Sequence, residues 1–334
     1  MLPLVIRRSA GICALPLLLA AGCTSGSADA DSDRLRVVTT VAPLTSIVAN
    51  VAGDRVELAG LVPEGTNSHT FEPPPSAAKV LSEADVVFVN GLQLEDPTLE
   101  LAADNLRDGA EVVELGTRVL PKSDYLYDFS FPRSGGKPNP HLWTHPGYAV
   151  EYAEVVRDVL SARSPADAAY FSANTAAFTT KANALSDAVR RASATVPAPR
   201  RQLLTYHDGY AYFAKDYGWT VLGAIQPANF EDPTAKEVAA IIRQIKAQRV
   251  PAIFGSEVFP SEVLEQIGKD TGARYVDVLR DDDLPGKPGD PEHSWLALMR
   301  FDYVTMVEAL GGDASALKVV DLADVTPDRA RYPQ

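Results

Sequence analysis

Cysteine is almost absent from the chain. Its 334 residues contain two, Cys13 and Cys23. Residues 1–22 place Arg7 and Arg8 ahead of the apolar run GICALPLLLA, and LLAAGC then ends at Cys23. This order reads as an export signal cut before a cysteine, and the apolar stretch is too short to be a membrane span. Cutting there removes Cys13 and leaves one cysteine at the new terminus, so a disulfide framework is excluded although an exported location would permit one. Positive charge is scarce as well. The cut removes two of 31 basic residues and none of the 44 acids, taking the formal charge from −13 to −15. Such a surface repels nucleic acid and anionic headgroups and weakly concentrates cations. The sequence also lacks a nucleophile elbow, a phosphate loop, a dinucleotide fingerprint, an HExxH helix and zinc-finger spacing.

What remains must be held together by its core, and about 300 residues can supply one, most naturally in two domains. TSGSADADSD after Cys23 is small, polar and acidic, with too little apolar surface to fold, so residues 23–34 read as a flexible tether. From Leu35 the chain alternates short valine-rich runs with helical patterns: LRVVTTV, VELAGLV, DVVFVNG and AEVVEL are separated by stretches such as PSAAKVLSEA. This alternation predicts a parallel sheet covered on both faces over residues 35–163. The Pro- and Gly-rich stretch LPKSDYLYDFSFPRSGGKPNPHLW interrupts it as a long loop, and loops of that length are more often functional than structural.

Residues 164–196 carry a single apolar stripe, Phe171, Thr175, Phe178, Ala182, Leu185 and Val189, with no glycine or proline inside it. This predicts one long helix, started by Ser164 and Pro165, joining two lobes. The rhythm resumes over residues 197–334 with QLLTYH, WTVLGAI, PAIFGS and ARYVDVL. The fold class is α/β: two doubly wound lobes with mainly parallel sheets, joined by one linking helix, with the cleft between them as the place for a ligand.

Ligands of open parallel sheets sit beyond the carboxyl ends of the strands. There the sequence puts His69, after VELAGLVPEG, and His207, closing QLLTYH. The acids Asp281, Asp282 and Asp283 follow ARYVDVL, and His141 lies in the long loop. Three imidazoles and a carboxylate form a donor set suited to a divalent transition metal. Four protein donors from two lobes tend to close the site, whereas a catalytic metal keeps a position open for water.

LVPEGTNSHTFEPPPS, NPHLW, TYHDGYAYFAKDYG and DDDLPGKPGDPEHSWLALM, taken with the N-terminal signal, resemble the metal-binding lipoproteins of bacterial ABC importers, the zinc and manganese substrate-binding family. The signal itself resembles a bacterial lipoprotein signal, which implies lipidation of Cys23 and anchoring at the outer face of the cell membrane. The resemblance spans residues 35–310. It implies a rigid linking helix, one Zn2+ or Mn2+ per chain between the lobes, and delivery of that ion by a monomer to a permease. Metal ligands are implied at His69, His141, His207 and Asp282. Asp282 is chosen because Leu284 supplies the hydrophobic residue two positions on, and Asp281 and Asp283 flank it. A surface adhesin or scaffold that keeps the fold is the alternative function, and a metal-dependent hydrolase a minor one.

His145 stands where the family usually has aspartate. It is expected to orient a neighbour, serve as an alternate ligand, or cap the helix starting near Pro146. His293 is expected to be exposed and structural. Glu257 beyond PAIFGS reads as a helix-start carboxylate with a possible role beside the metal, Trp143 as a wall of the site, and DDDLPGKPGDPEH as the mobile element. No His-rich loop precedes His141, unlike many zinc-specific members.

Overall fold

The structure is a computed structural model that describes residues 34–256 and 262–333. Cys23 and Glu257, assigned roles from the sequence, lie outside the described residues. No helix among those described is long and apolar enough to cross a membrane.

Eight strands form two parallel sheets. The first contains β1 (Leu35–Thr39), β2 (Val56–Gly60), β3 (Val86–Val89) and β4 (Glu111–Glu114) in the order β2-β1-β3-β4. The second contains β5 (Gln202–Thr205), β6 (Thr220–Ala224), β7 (Ala252–Ser256) and β8 (Arg274–Leu279) in the order β6-β5-β7-β8. The two orders are the same topology, and in each the chain changes direction beside its first strand, where a ligand crevice is expected. The valine-rich runs become strands because the crossover helices bury both of their faces: all four residues of β3, VVFV, are buried.

The first crossovers are α1 (Ala42–Ala52), α2 (Pro75–Glu83) and α3 (Asp96–Asn105), and the short α4 (Leu115–Val119) follows β4. The second lobe uses α7 (Ala211–Tyr217), α8 (Ala235–Gln248) and α9 (Glu262–Thr271), while α10 (Trp295–Ala309) and α11 (Ser315–Lys318) close the chain. Between the lobes run α5 (Pro146–Arg163) and the linking helix α6 (Ala168–Thr195), the latter entered through a 3-10 turn at Pro165–Asp167. Every residue of the predicted stripe, Phe171 to Val189, is buried. One continuous hydrophobic core joins that stripe to Val37 and Phe88 of the first sheet, Leu203 and Phe254 of the second, and Trp295 and Met299 of α10. Each such buried side chain contributes about 1.5–3 kcal/mol, so α6 is anchored along its length to both lobes.

The chain end does not stay with the second lobe. After α11 the Asp321 carboxylate meets Lys181 of α6. Asn50 of α1 then holds Asp324 and the amide of Val325 at 2.9 and 2.7 Å. Arg331 pairs with the outer strand β2, its N–H donating to the Leu58 carbonyl and its carbonyl accepting from Gly60 N–H, both at 2.9 Å. The last residues of the expected 197–334 lobe thus cover the free edge of the first sheet, which would otherwise present unpaired backbone groups. Where α6 ends, Thr195 Oγ1 accepts from the amide of Asp313 at 2.7 Å, so the way into the second lobe touches the way out.

Candidate metal centre

Each lobe sends ligand-type side chains into the crevice from a different kind of segment. In the second lobe the strands themselves aim them: His207 stands two residues past β5, and Asp281 and Asp282 stand two and three residues past β8. In the first lobe His69 and His141 come from loops. His69 lies between β2 and α2. There Asn67 Oδ1 accepts from the His69 amide at 3.0 Å, folding the short turn that carries the ring. His141 precedes a 3-10 turn at Leu142–Thr144, and Asn139 Oδ1 accepts from its amide at 3.0 Å.

The three rings converge. Nε2 of His141 is 2.8 Å from Nε2 of His207, and Nε2 of His69 is 3.1 and 3.3 Å from those two. His141 and His207 are buried, and His69 is partly so. Two of the rings are fixed from behind. His141 Nδ1 lies 2.8 Å from Asn139 Oδ1, and His207 Nδ1 lies 2.9 Å from Gln226 Oε1. A carboxamide oxygen only accepts, so each Nδ1 carries the hydrogen and each Nε2 presents a lone pair to the centre. Trp143 sets its ring edge-on to His141 at 5.0 Å and walls the site as expected.

Burial, followed by the charge repulsion of His207, pushes the His69 and His141 imidazoles well below the usual histidine range. Both rings are therefore neutral at physiological pH, the form that binds metal.

The carboxylates stand close by. Among the described residues, the cluster whose ligand atoms all lie within 4.8 Å of one another comprises the three histidines alone. Asp282 is buried, and its Oδ2 accepts from the Ser68 hydroxyl at 2.5 Å, next to His69. Asp281 is buried too, at φ +46°, a left-handed conformation that is uncommon outside glycine. A methyl placed on Gly209 would lie 3.5 Å from Asp281 Oδ1 and 3.6 Å from His207 Cδ2, so Asp281 faces the same corner as His207. Among the described residues, Oδ1 of Asp281 and Oδ1 of Asp282 are each buried without a hydrogen-bond partner. Leaving a buried acceptor unpaired is costly, and two of them beside three convergent imidazoles form the electronegative half of a cation site. Burial raises both acids, Asp281 to about 6, with His207 opposing the rise. Asp283 turns away and accepts from the Gly65 amide at 2.7 Å.

His145 is not in the cluster. Its Nδ1 accepts from the Gly147 amide at 3.0 Å, capping α5, and its Nε2 lies 3.1 Å from Asp216. Of its three possible roles, the capping one describes its position.

His293 is buried rather than exposed. The loop that carries it folds through Asp290 and turns the ring inward, with Nδ1 3.3 Å from the Pro285 carbonyl and Nε2 3.7 Å from Glu64 of the first lobe. A run of Gly, Pro and charged residues reads as solvated, and this interlobe partner lies 229 positions away in the sequence. Sequence reasoning also passed over Asn139, Gln226 and Phe230. Asn139 carried a signal, since a carboxamide two residues before a histidine can fold back onto it. Gln226 carried another, at the mouth of β6.

The comparisons with known proteins bear on the family and the fold. The family described as ZnuA, zinc-uptake complex component A periplasmic, matches residues 37–309. The chain belongs to this family. It is thereby a metal-binding component of an ABC import system, a binding protein rather than an enzyme. Among its relatives, the metal ABC transporter substrate-binding lipoprotein FimA of Streptococcus parasanguinis is 26% identical over 308 residues, 91% of this chain and 99% of the relative. The manganese-binding lipoprotein MntA of Halalkalibacterium halodurans is 28% identical, over 88% of this chain and 95% of its own. The solved periplasmic zinc binding protein TroA of Treponema pallidum superposes with a TM-score of 0.75 at 26% identity, over 83% of this chain and 99% of that one. The Mn-bound periplasmic metal binding protein of Candidatus Liberibacter asiaticus gives 0.72 at 26%, over 83% and 100%. Both are likenesses in the two-lobed fold with its linking helix.

Proposed function

We propose that this protein captures one divalent transition metal ion per chain outside the cytoplasmic membrane and delivers it to the permease of an ABC importer. His69, His141, His207 and Asp282 are the ligands. The observation that carries the reading is the meeting of three Nε2 atoms, 2.8–3.3 Å apart, from loops of one lobe and a strand end of the other. Coordination draws on the carboxylate beside them, and because both lobes contribute, binding joins them.

The relatives' names divide between zinc, manganese and iron, so the donor set decides the ion. Three neutral imidazoles and a carboxylate suit tetrahedral Zn2+, which also outranks Mn2+ and Fe2+ in affinity at nitrogen-rich sites. Zn2+ is the proposed cargo.

The protein acts as a monomer held to the membrane by a lipid on Cys23. Elemental analysis of protein purified from its own envelope, followed by Zn2+ and Mn2+ competition titration, tests the assignment. Zinc at one per chain is the expected result; manganese in the native protein, outcompeting zinc in titration, would replace it. Cys23→Ala should move the protein from the membrane to the soluble fraction.

A further inference from the structure

The three histidines are not held alike. His141 and His207 each give their Nδ1 to a carboxamide, but Nδ1 of His69 makes no hydrogen bond among the described residues. Its ring is held by an aromatic face instead. Phe230, on the second lobe, stacks on it with the ring centroids 4.4 Å apart and the planes 8° from parallel, and Phe131 tilts against it at 5.4 Å. A stacked ring restrains the imidazole plane and shields one side of it from water. It does not fix which nitrogen carries the proton, nor does it stop the imidazole turning within its own plane.

The surroundings of this stack are conformationally unusual. Beside it lies a pocket lined by His69, Leu92, Gln93, Phe131, Lys137 and Phe230 among others. Five non-glycine residues among those described have positive φ. One, Arg249, ends α8 and is an ordinary helix terminus. Three of the other four, Leu92 at +56°, Gln93 at +64° and Phe230 at +59°, line this one pocket. Left-handed backbone at bulky residues costs energy and collects at ligand clamps and switches. For Phe230 it has a visible effect: it is the conformation in which the ring lies flat on His69.

Resting on the metal-capture reading above, we infer that Phe230 is the positioning residue for His69, and that the His69–Phe230 stack is the release point of the ion, opening into the pocket beside it. The release step begins with His69 because the other two imidazoles are each tied by a hydrogen bond on the far side. When Phe230 withdraws with its loop, His69 loses the face that restrains it, one donor leaves, and the ion retains its contacts to His141, His207 and Asp282 until it exits.

The test measures Zn2+ release from the full chain to a chromophoric chelator in stopped flow. Phe230→Ala and Phe230→Gly should each release Zn2+ about tenfold faster than wild type, the size expected for losing one aromatic stack. Phe230→Tyr, which keeps the flat ring, should stay within about twofold of wild type. The glycine variant suits φ +59° without strain, so its thermal midpoint should equal or exceed that of the alanine variant, separating loss of the ring from loss of the loop. Unchanged release in both truncated variants would overturn the inference, and so would release as fast in Phe230→Tyr as in Phe230→Ala. His207→Ala is run in the same assay. If it retains Zn2+ like wild type, the metal site itself is misassigned; if it loses Zn2+ while the Phe230 variants behave as wild type, only the role of Phe230 fails.

Discussion

The two lobes share one sheet topology but present their ligands by opposite means. The second lobe places His207 and Asp282 within three residues of a strand end, so the sheet determines where they point. The first lobe places His69 nine residues past Gly60 and His141 twenty-seven past Glu114, on loops with little regular structure of their own. Those loops acquire their shape from the second lobe. Ser130 donates its amide to Asp208 at 3.0 Å and its hydroxyl to the Gln226 carbonyl at 2.6 Å. Asn139 donates to the Asp208 carbonyl at 2.8 Å, and Thr144 to that of Gly209 at 2.8 Å. One lobe is a template, and the other is moulded on it.

The contrast is broken most severely at the template. His207→Ala should weaken Zn2+ binding by more than about 100-fold in isothermal titration, beyond the 10- to 100-fold typical of losing an outer partner of a metal-bound histidine. His69→Ala should also weaken it strongly, whereas His293→Ala should leave affinity nearly unchanged because its ring faces Glu64, away from the cluster. Wild-type affinity in the His207 variant would remove the shared site.

Next in size come the two carboxamides. Asn139→Ala and Gln226→Ala should each cost about 10- to 100-fold in affinity. Asn139 also ties the His141 loop to Asp208, so its loss should further reduce stability, while the Gln226 variant should change affinity with a smaller change in melting temperature. Equal melting temperatures would count against moulding of the loop by the second lobe.

A third outcome concerns pH. A free histidine titrates near 6.5. Because burial holds His69 and His141 well below that, protons should compete with the metal only below the range in which a free histidine titrates, and dialysis retention should stay flat as pH falls through that range before it declines. The same depression fixes the sign for the metal-free fold. Its contribution to stability is present above about 6.5 and is lost as pH falls, since the unfolded chain takes up protons that the buried rings refuse. The difference in melting temperature between wild type and His141→Asn should therefore shift against wild type from pH 7 to 5.

The smallest effect is expected at His145. Replacing it by alanine removes the cap of α5 and should cost about 0.5–2 kcal/mol of stability, read by denaturant titration, with metal affinity unchanged.

Most of the scaffold was legible in the sequence because it is local. Eight apolar runs became eight strands, and the stripe from Phe171 to Val189 became the buried face of α6, since period and burial are recorded in neighbouring residues. The histidines that meet were also legible, from their positions at strand ends and in one long loop. What escaped was contact between distant segments. His207 and Gln226 are 19 residues apart and Ser68 and Asp282 are 214 apart; the strand-end place of Gln226 marks it as facing the crevice, but nothing near either pair announces which partner it meets. The inward turn of His293 and the left-handed Phe230 escaped for the same reason. The loop DDDLPGKPGDPEH reads as mobile from composition, yet Gly65 and Glu64 hold its Asp283 carboxylate and Leu284 amide from across the cleft.

The contact between Thr195 and Asp313 has a further consequence. Both described ends of the chain belong to the first lobe: Leu35 opens its sheet, and Arg331 pairs with that sheet's outer strand. The second lobe is therefore an insertion, a closed excursion of the chain that leaves and re-enters at a single paired stem, where an added Cβ on Gly312 would collide with Val196 at 2.6 Å. A domain hung on one such stem can tilt as a body by small changes at the stem itself, leaving the helix that leads to it intact. The same arrangement places both Leu35 and Arg331 on one domain, so labels at those two positions report on the first lobe and leave the inserted one unencumbered.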